Sequence, residues 1–272
     1  MKLKLWQIVA FATKVLEGNP AAVVPLDDWL DDTLMQQIAG ENNLAETAFF
    51  VKTAPGHYDL RWFTPQAEVD LCGHATLASA YVIFAFLSPG LNEAHFMTRS
   101  GELVVTRGDG ENLVMSLPSN VLVPYISPAH VAEQIGEALG APAPGELLKG
   151  TYLVAVWDDP AIIRGLKGPG AIARVLYDLG IWGLIVTAPG DQGYDFVSRF
   201  FAPAKGVPED PVTGSAHCAL TPYWSHRLGK KQLWARQVSP RGGNILCTDN
   251  GVRTVLEGSC ALYLTGDIEI PV

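Results

Sequence analysis

Arg61-Trp62-Phe63-Thr64-Pro65 leads through a polar loop to Gly73-His74-Ala75-Thr76-Leu77-Ala78. Arg199-Phe200-Phe201-Ala202-Pro203 leads through another to Gly214-Ser215-Ala216-His217-Cys218-Ala219. Both stretches read R-x-F-x-P, a loop, then G-x-A-x-x-A at the head of an apolar run. They start 138 residues apart (61 to 199), and the second loop is three residues longer. Two composite patterns kept in one order over that distance mark a duplicated architecture. The runs that open at Gly73 and Gly214 are apolar on most faces, the signature of helices buried inside something. The Pro-rich stretch 117–127 falls where the boundary between the copies belongs.

Around these helices the chain reads as short strands. Runs at 3–10, 21–25, 47–52, 58–63, 103–107, 152–156, 181–187, 194–200 and 254–256 are rich in β-branched and aromatic residues, and Gly, Pro, Asn and Asp separate them. Two further helices are expected, an amphipathic one at 31–41 and one at 129–139 after Ser127-Pro128. Many strands and three or four helices fit a sheet wrapped around a buried helix better than alternating βαβ units.

Composition narrows the function. The 272 residues suffice for two packed domains, and 48% apolar against 17% charged residues makes disorder the wrong default. A net charge of −9 without a long Lys/Arg run argues against a broad nucleic-acid surface. No apolar stretch reaches the roughly 20 residues of a membrane helix, and Met1 to Trp6 goes straight into a strand pattern without a signal-peptide core. Cys72, Cys218, Cys247 and Cys260 form no C-x-x-C pair and no zinc spacing, so no metal site is expected. They read as reduced thiols of a cytoplasmic protein. G-x-G-x-x-G, a phosphate loop and G-x-S-x-G are all missing, which speaks against nucleotide binding and serine hydrolysis.

The chemistry-bearing residues gather at the two helix starts. A helix N-terminus offers uncapped N–H groups and a dipole that favours a carboxylate or enolate oxygen, and Gly73 and Gly214 would let it come close. The plainer reading of both glycines is a tight turn before a helix. His74 would sit in the first helical turn, where the dipole lowers an imidazole pKa and leaves a neutral acid/base, unless it is a packing histidine. Asp210 either caps the turn or orients a polar group, and Ser215 occupies the slot that His74 holds in the first copy. Glu46 is a carboxyl among apolar neighbours at a strand entry, either a proton carrier or an exposed strand-edge residue. Asn19, in a turn, could reach a ligand.

Gly18-Asn19-Pro20-Ala21-Ala22-Val23, Leu44-Ala45-Glu46-Thr47-Ala48-Phe49, Phe63-Thr64-Pro65 with Cys72-Gly73-His74-Ala75-Thr76, Glu209-Asp210-Pro211-Val212-Thr213-Gly214-Ser215-Ala216-His217 and Arg241-Gly242-Gly243 resemble the signatures of the PhzF-like (phenazine biosynthesis) isomerase family. The resemblance implies an α+β chain of two duplicated diaminopimelate epimerase-like half-domains, each a curved, barrel-like, mostly antiparallel sheet around a central helix. The N-terminal half would cover 1–118, completed by about 262–272, and the C-terminal half 119–261, with the active site in the cleft between them. It implies a homodimer and no cofactor. By position, Glu46 is the general acid/base, His74 and Asp210 assist, and Gly73, Gly214, Ser215 and Asn19 bind a small substrate carrying a carboxylate. The best-known reaction of the family isomerises a dihydro-hydroxyanthranilate by moving a hydrogen between ring carbons.

Two other readings stay open. Racemases of this fold use one thiol from each half; here Cys72 stands in one slot but Thr213 in the other, so a racemase or epimerase would rely on Cys72. A binding or interaction protein on the same scaffold is the non-enzymatic alternative.

Overall fold

The computed structural model describes residues 1–128 and 130–270, and the chain divides into two compact units. One comprises Met1–Leu117 with the chain from Val255 on, the other Pro118–Thr254.

In the first unit the strands are β1 (Lys2–Ala10), β2 (Asn19–Leu26), β3 (Glu46–Ala54), β4 (His57–Phe63), β5 (Glu68–Val69), β6 (Glu93–Thr98), β7 (Gly101–Arg107) and β8 (Asn112–Pro118). A last strand, Arg253–Glu269, pairs with both β8 and β1 and closes the ring. Going round, β1 is followed by β2, β3, β4, β6, β7 and β8, with β5 laid on β4. Pairs β2/β3 and β4/β6 run parallel, while β1/β2, β3/β4, β6/β7 and β7/β8 are antiparallel. Closure leaves no free sheet edge in this ring.

Helix α2 (Gly73–Val82) lies inside, buried along nearly its whole length. Gly73, Ala75, Ala78, Ser79 and Ala80 let the strands approach it closely, and its hydroxyls are satisfied internally. Thr76 Oγ1 donates to the Cys72 carbonyl at 2.6 Å and Ser79 Oγ to that of Ala75 at 2.8 Å. A π-turn, Ile83–Leu87, ends it. Outside, α1 (Asp32–Asn42) covers β1 to β4 through Met35, Ile38 and Ala39 packed on Leu5, Val24, Phe49 and Phe63. Covered on both faces, β2 and the first half of β3 read as continuous apolar runs, while β4 keeps a two-residue alternation.

The second unit repeats the order. Its strands are β9 (Val123–Pro124), β10 (Glu146–Lys149), β11 (Leu153–Val156), β12 (Leu184–Pro189), β13 (Phe196–Ala202), β14 (Val207–Asp210), β15 (Gln232–Gln237) and β16 (Gly243–Asn250). β11/β12 are parallel, β12/β13 antiparallel, β13/β15 parallel and β15/β16 antiparallel, the sequence of directions seen from β2 to β7. β14 lies on β13 as β5 lies on β4. Helix α6 (Gly214–Leu228) takes the place of α2. Pro222 in its interior has no N–H for the Cys218 carbonyl, and the Asn120 N–H supplies that bond instead at 3.0 Å. The three extra residues of the second loop fall between Pro203 and Glu209, where the chain makes the 3₁₀ turn Pro203–Lys205.

The expected fold class is therefore what the chain adopts, a closed or strongly curved mixed sheet around a central helix in each copy. Several boundaries differ. The helix expected at 129–139 is α3 (His130–Leu139); Ala129 lies outside the described residues, as do positions 271–272. α4 (Pro160–Gly165) is capped by Asp159 on the Ala161 N–H, and α5 (Ile172–Asp178) was not expected. The strand expected from 181 begins only at Leu184, because Ile181 and Gly180 close α5. Their N–H groups bond to the carbonyls of Leu176 and Tyr177, with Gly180 at φ +64°, a Schellman ending. The last strand runs through Gly258 and Gly266, residues that look like strand breakers. At Gly258 a Cβ would stand 2.6 Å from the Phe11 ring, so packing requires glycine there. Among the described residues no helix is long and apolar enough to cross a membrane.

His217, buried in α6, donates Nδ1–H to the Thr213 carbonyl at 2.8 Å, and burial pushes its pKa down to about 4. The unfolded chain binds this proton near pH 6.5 and the native state only near 4, so unfolding takes up a proton in between. The contribution is complete above pH 6.5 and is lost as pH falls towards 4, about 3 kcal/mol in all. Urea titrations across pH 7.5 to 4 are expected to show this acid-side loss in wild type and a shallower one in His217→Gln. Equal slopes would mean that other groups carry the acid sensitivity.

Candidate active site

The first group of candidate residues is assembled by three chain segments of the first unit. Gly18, at φ +64°, turns the chain so tightly that a Cβ would lie 2.3 Å from the Ala10 carbonyl oxygen, and Asn19 then opens β2. Glu46 opens β3, paired in parallel register with Ala21. Cys72 is the N-cap of α2 and, carrying a thiol, makes no side-chain cap bond, while Gly73 and His74 are the first two helical residues.

Their side chains meet at the His74 ring. Nε2 faces Glu46 Oε2 at 3.1 Å, and Nδ1 is met by Asn19 Nδ2 at 3.2 Å and Cys72 Sγ at 3.5 Å. The Nε2–carboxylate contact is at ion-pair distance without the alignment of a hydrogen bond. The side chains of His74 and Glu46 are 6% and 14% exposed, so water screens this pair little.

Here the charge state of His74 differs from expectation. The helix dipole was expected to lower its pKa, yet it lies well above the ordinary imidazole range. Burial disfavours the charged ring, but the Glu46 carboxylate beside it favours that form, and the net direction is upward. The Cys72 thiol is pushed up to about 11, first by burial and then by Glu46, and stays protonated at neutral pH. Cys72, His74 and Glu46 each offer one ligand atom within 4.8 Å of the others, but Cys72 meets the ring at Nδ1 and Glu46 at Nε2, so the set does not fit one shared metal ion.

The second group lies at the equivalent junction of the second unit. Asp210 ends β14, Thr213 is the N-cap of α6, again without a side-chain cap bond, and Gly214 and Ser215 follow. Thr213 Oγ1 donates to Asp210 Oδ2. Gln237, fully buried at the end of β15, clamps the turn. Its Oε1 accepts from the Thr213 N–H at 2.9 Å and its Nε2 donates to the Asp210 carbonyl at 2.7 Å. Ser215 Oγ lies 2.8 Å from the Tyr152 hydroxyl, whose ring packs edge-on against Phe200. Arg241-Gly242-Gly243 supports the same turn indirectly: the Gly242 N–H bonds to Ser239 Oγ, which donates to the Pro211 carbonyl.

Each R-x-F-x-P arginine anchors its own loop. Arg61 grips Glu68 through Nε and Nη2 at 2.7 and 2.8 Å, and Arg199 grips Glu209 in the same fork at 2.7 and 2.9 Å. Glu68 and Glu209 each stand four residues before the N-cap, so Cys72 matches Thr213, Gly73 matches Gly214 and His74 matches Ser215. The structure thus collects Glu46, His74 and Asn19 around Cys72 in one unit and Asp210, Gly214 and Ser215 at one turn in the other. Gln237 and Tyr152 escaped the sequence reading. A polar residue at the end of a strand leaves no motif, and burial, their only signal, is invisible before folding.

The sequence matches the PhzC-PhzF family, phenazine biosynthesis-like protein, over residues 8–267. An uncharacterized isomerase of Pseudomonas aeruginosa is 48% identical to it over 99% of this chain and 100% of its own length. The crystal structure of a PhzF-family phenazine biosynthesis protein from Enterococcus faecalis superposes with a TM-score of 0.91 at 40% identity, covering 99% of this chain and 100% of that one. A predicted epimerase from Pseudomonas aeruginosa shares the fold, with a TM-score of 0.79 at 20% identity over 99% of this chain and 100% of its own. Family match, near-full coverage and shared fold agree, and the chain belongs to the PhzC-PhzF family of phenazine biosynthesis-like proteins, enzymes of isomerase type.

Proposed function

We propose that this protein isomerises a small cyclic or amino/hydroxy carboxylic acid by moving one proton between carbons, with Glu46 as the carrier and without a cofactor. The observation that supports it best is the Glu46 carboxylate 3.1 Å from His74 Nε2 in a nearly dry pocket. A carboxylate takes a proton from a carbon acid only if something stabilises the enolate that remains. In this reading Glu46 removes the proton, the electron pair moves into the adjacent π-system, and Glu46 returns the same proton at another carbon. Bonds broken and formed are one C–H each, so no oxidant or reductant is needed. His74 orients Glu46 and offsets the charge that develops.

The remaining roles follow from the two uncapped helix starts. The N–H groups of Gly73 and Gly214 at the helix starts, with the Ser215 hydroxyl, suit carboxylate or enolate oxygens, and Asp210 assists as a polar or acid group. Asn19 steadies the His74 ring. The homodimer and cytoplasmic location belong to the same proposal; the dimer rests on the family resemblance.

A racemase using Cys72 fares worse. Its thiol is buried and pushed up to about 11, the reverse of the exposed, acidic thiol such chemistry needs, and the matching position carries Thr213.

Proton NMR in D₂O with dihydro-hydroxyanthranilate and a panel of cyclic amino and hydroxy acids tests the proposal. Wild type should take up deuterium or isomerise one member, and Glu46→Gln should slow this at least ~100-fold. Unimpaired exchange by Glu46→Gln would remove Glu46 from its role. A ligand that binds wild type yet never exchanges would favour a binding protein. Native protein treated with iodoacetamide at neutral pH should keep its exchange activity, with Cys72 unmodified by mass spectrometry; rapid loss tracking Cys72 alkylation would revive the thiol mechanism.

A further inference from the structure

Gln237 is fully buried, yet both ends of its amide are in use at the head of α6. Its Oε1 accepts from the Thr213 N–H at 2.9 Å, while its Nε2 donates to the Asp210 carbonyl at 2.7 Å and to Thr213 Oγ1 at 3.2 Å. The amide fits only this way round. Turned over, it would set N–H against N–H at Thr213 and oxygen against oxygen at Asp210. That polarity is passed on: a threonine hydroxyl has one proton, and with Gln237 donating to its oxygen, Thr213 donates to Asp210 Oδ2. The bonds from Gln237 through Thr213 thus point towards the Asp210 carboxyl, and such a bond is stronger to a carboxylate than to a neutral acid. The fold itself does not require this chain. In the first copy the matching positions are Val69, Cys72 and Thr98, the last residue of β6 as Gln237 is of β15, and Thr98 Oγ1 donates to the Gly101 carbonyl instead.

We propose that Gln237 is a positioning residue which, through Thr213, fixes Asp210 as an ionised hydrogen-bond acceptor and keeps it from serving as an acid. Whatever meets that carboxylate, from protein or ligand, then has to donate. Charged and titratable groups on the elements at this turn are Glu209 and Arg199, joined in their fork, Tyr152, whose hydroxyl meets Ser215, Arg241 in the supporting turn, and His217, which donates to the Thr213 carbonyl. A change of side chain at Thr213 leaves each of these in place. The hydrogen-bond polarity stands apart from the isomerase reading, which gives Asp210 a polar or acid role; only its effect on turnover rests on that reading.

Carbon-13 NMR of the full chain, labelled at the aspartate carboxyls, tests this without a substrate, and Asp210→Asn identifies the signal. Wild-type Asp210 should be ionised at neutral pH. Thr213→Val keeps the shape and loses only the hydroxyl, and it should raise the Asp210 titration midpoint by about one pH unit, a roughly tenfold loss of acidity. Thr213→Ser should restore it. In Thr213→Val one side-chain amide proton of Gln237 should also shift upfield, because its acceptor is gone. Gln237→Met, checked by circular dichroism, should raise the midpoint too, since the Thr213 hydroxyl can then turn to its own helix as an ordinary cap. An unchanged midpoint in Thr213→Val or in folded Gln237→Met overturns the proposal. So does a failed recovery in Thr213→Ser, an unmoved Gln237 amide, or an Asp210 still protonated at pH 7. Where a substrate shows exchange, the loss of kcat/KM in Thr213→Val relative to wild type should grow below its measured Asp210 midpoint. A constant ratio across that midpoint removes the Asp210 charge from turnover, and a protein that exchanges no substrate counts against the isomerase reading and leaves the polarity standing.

Discussion

Neither central helix is capped by the side chain at its head. Cys72 and Thr213, the N-cap residues of α2 and α6, make no side-chain cap hydrogen bond to their helices. Capping by Ser, Thr, Asp or Asn normally stabilises a helix by about 1 kcal/mol, and Thr213 has a hydroxyl that could serve. It is turned to Asp210 instead. Two helix starts kept open at matching points of a duplicated fold are a constraint that the rest of the structure must support, because a buried N–H without a partner is costly.

The support comes from outside the helices. In each unit a forked Arg–Glu pair fixes the loop that delivers the N-cap, and both pairs are mostly shielded from water. Such pairs contribute little net stability, since desolvation offsets attraction, but losing one partner typically costs about 3–5 kcal/mol. Their value here lies in geometry: two parallel N–H···O bonds allow one orientation of the loop and no other. In the second unit Gln237 adds a further clamp on the Thr213 amide and the Asp210 carbonyl. Rigid loops of this kind keep an open helix start from collapsing onto a local cap.

Much of this was legible beforehand, and what was legible had a local cause. R-x-F-x-P and G-x-A-x-x-A could be matched by eye, since a turn proline, a helix-opening glycine and small helix residues each satisfy a nearby constraint. From them the duplication and the two buried helices follow, and topology repeats them strand for strand. Elements whose cause is distant were missed. β15 and β16 hold few β-branched residues and depend on their pairing, β15 with β13 and β16 with β15, and α5 is closed by Gly180 where a strand seemed to start. Gln237 and Tyr152 act across the fold. The direction of the His74 shift has the same origin: the helix dipole was visible in the sequence, whereas the Glu46 carboxylate reaches the ring only through packing.

The copies have also diverged in a direction that chemistry explains. At the first helix start the matched positions hold Cys72 and His74; at the second they hold Thr213 and Ser215. At these two matched positions titratable groups stand in the first copy and neutral hydroxyls in the second, where the titratable group is Asp210, bonded to Thr213. Two strongly basic centres would serve a reaction that takes a proton from one face and returns it to the opposite one. A single carboxylate, Glu46, beside a buried imidazole suits a proton that leaves and returns through one carrier. Under the proposed function the second copy holds oxygen atoms, for which Gly214, Ser215 and the helix start are suited. Under the proposed function, divergence of the duplicated halves answers two separate needs, a proton carrier beside the first helix head and oxygen-binding groups at the second.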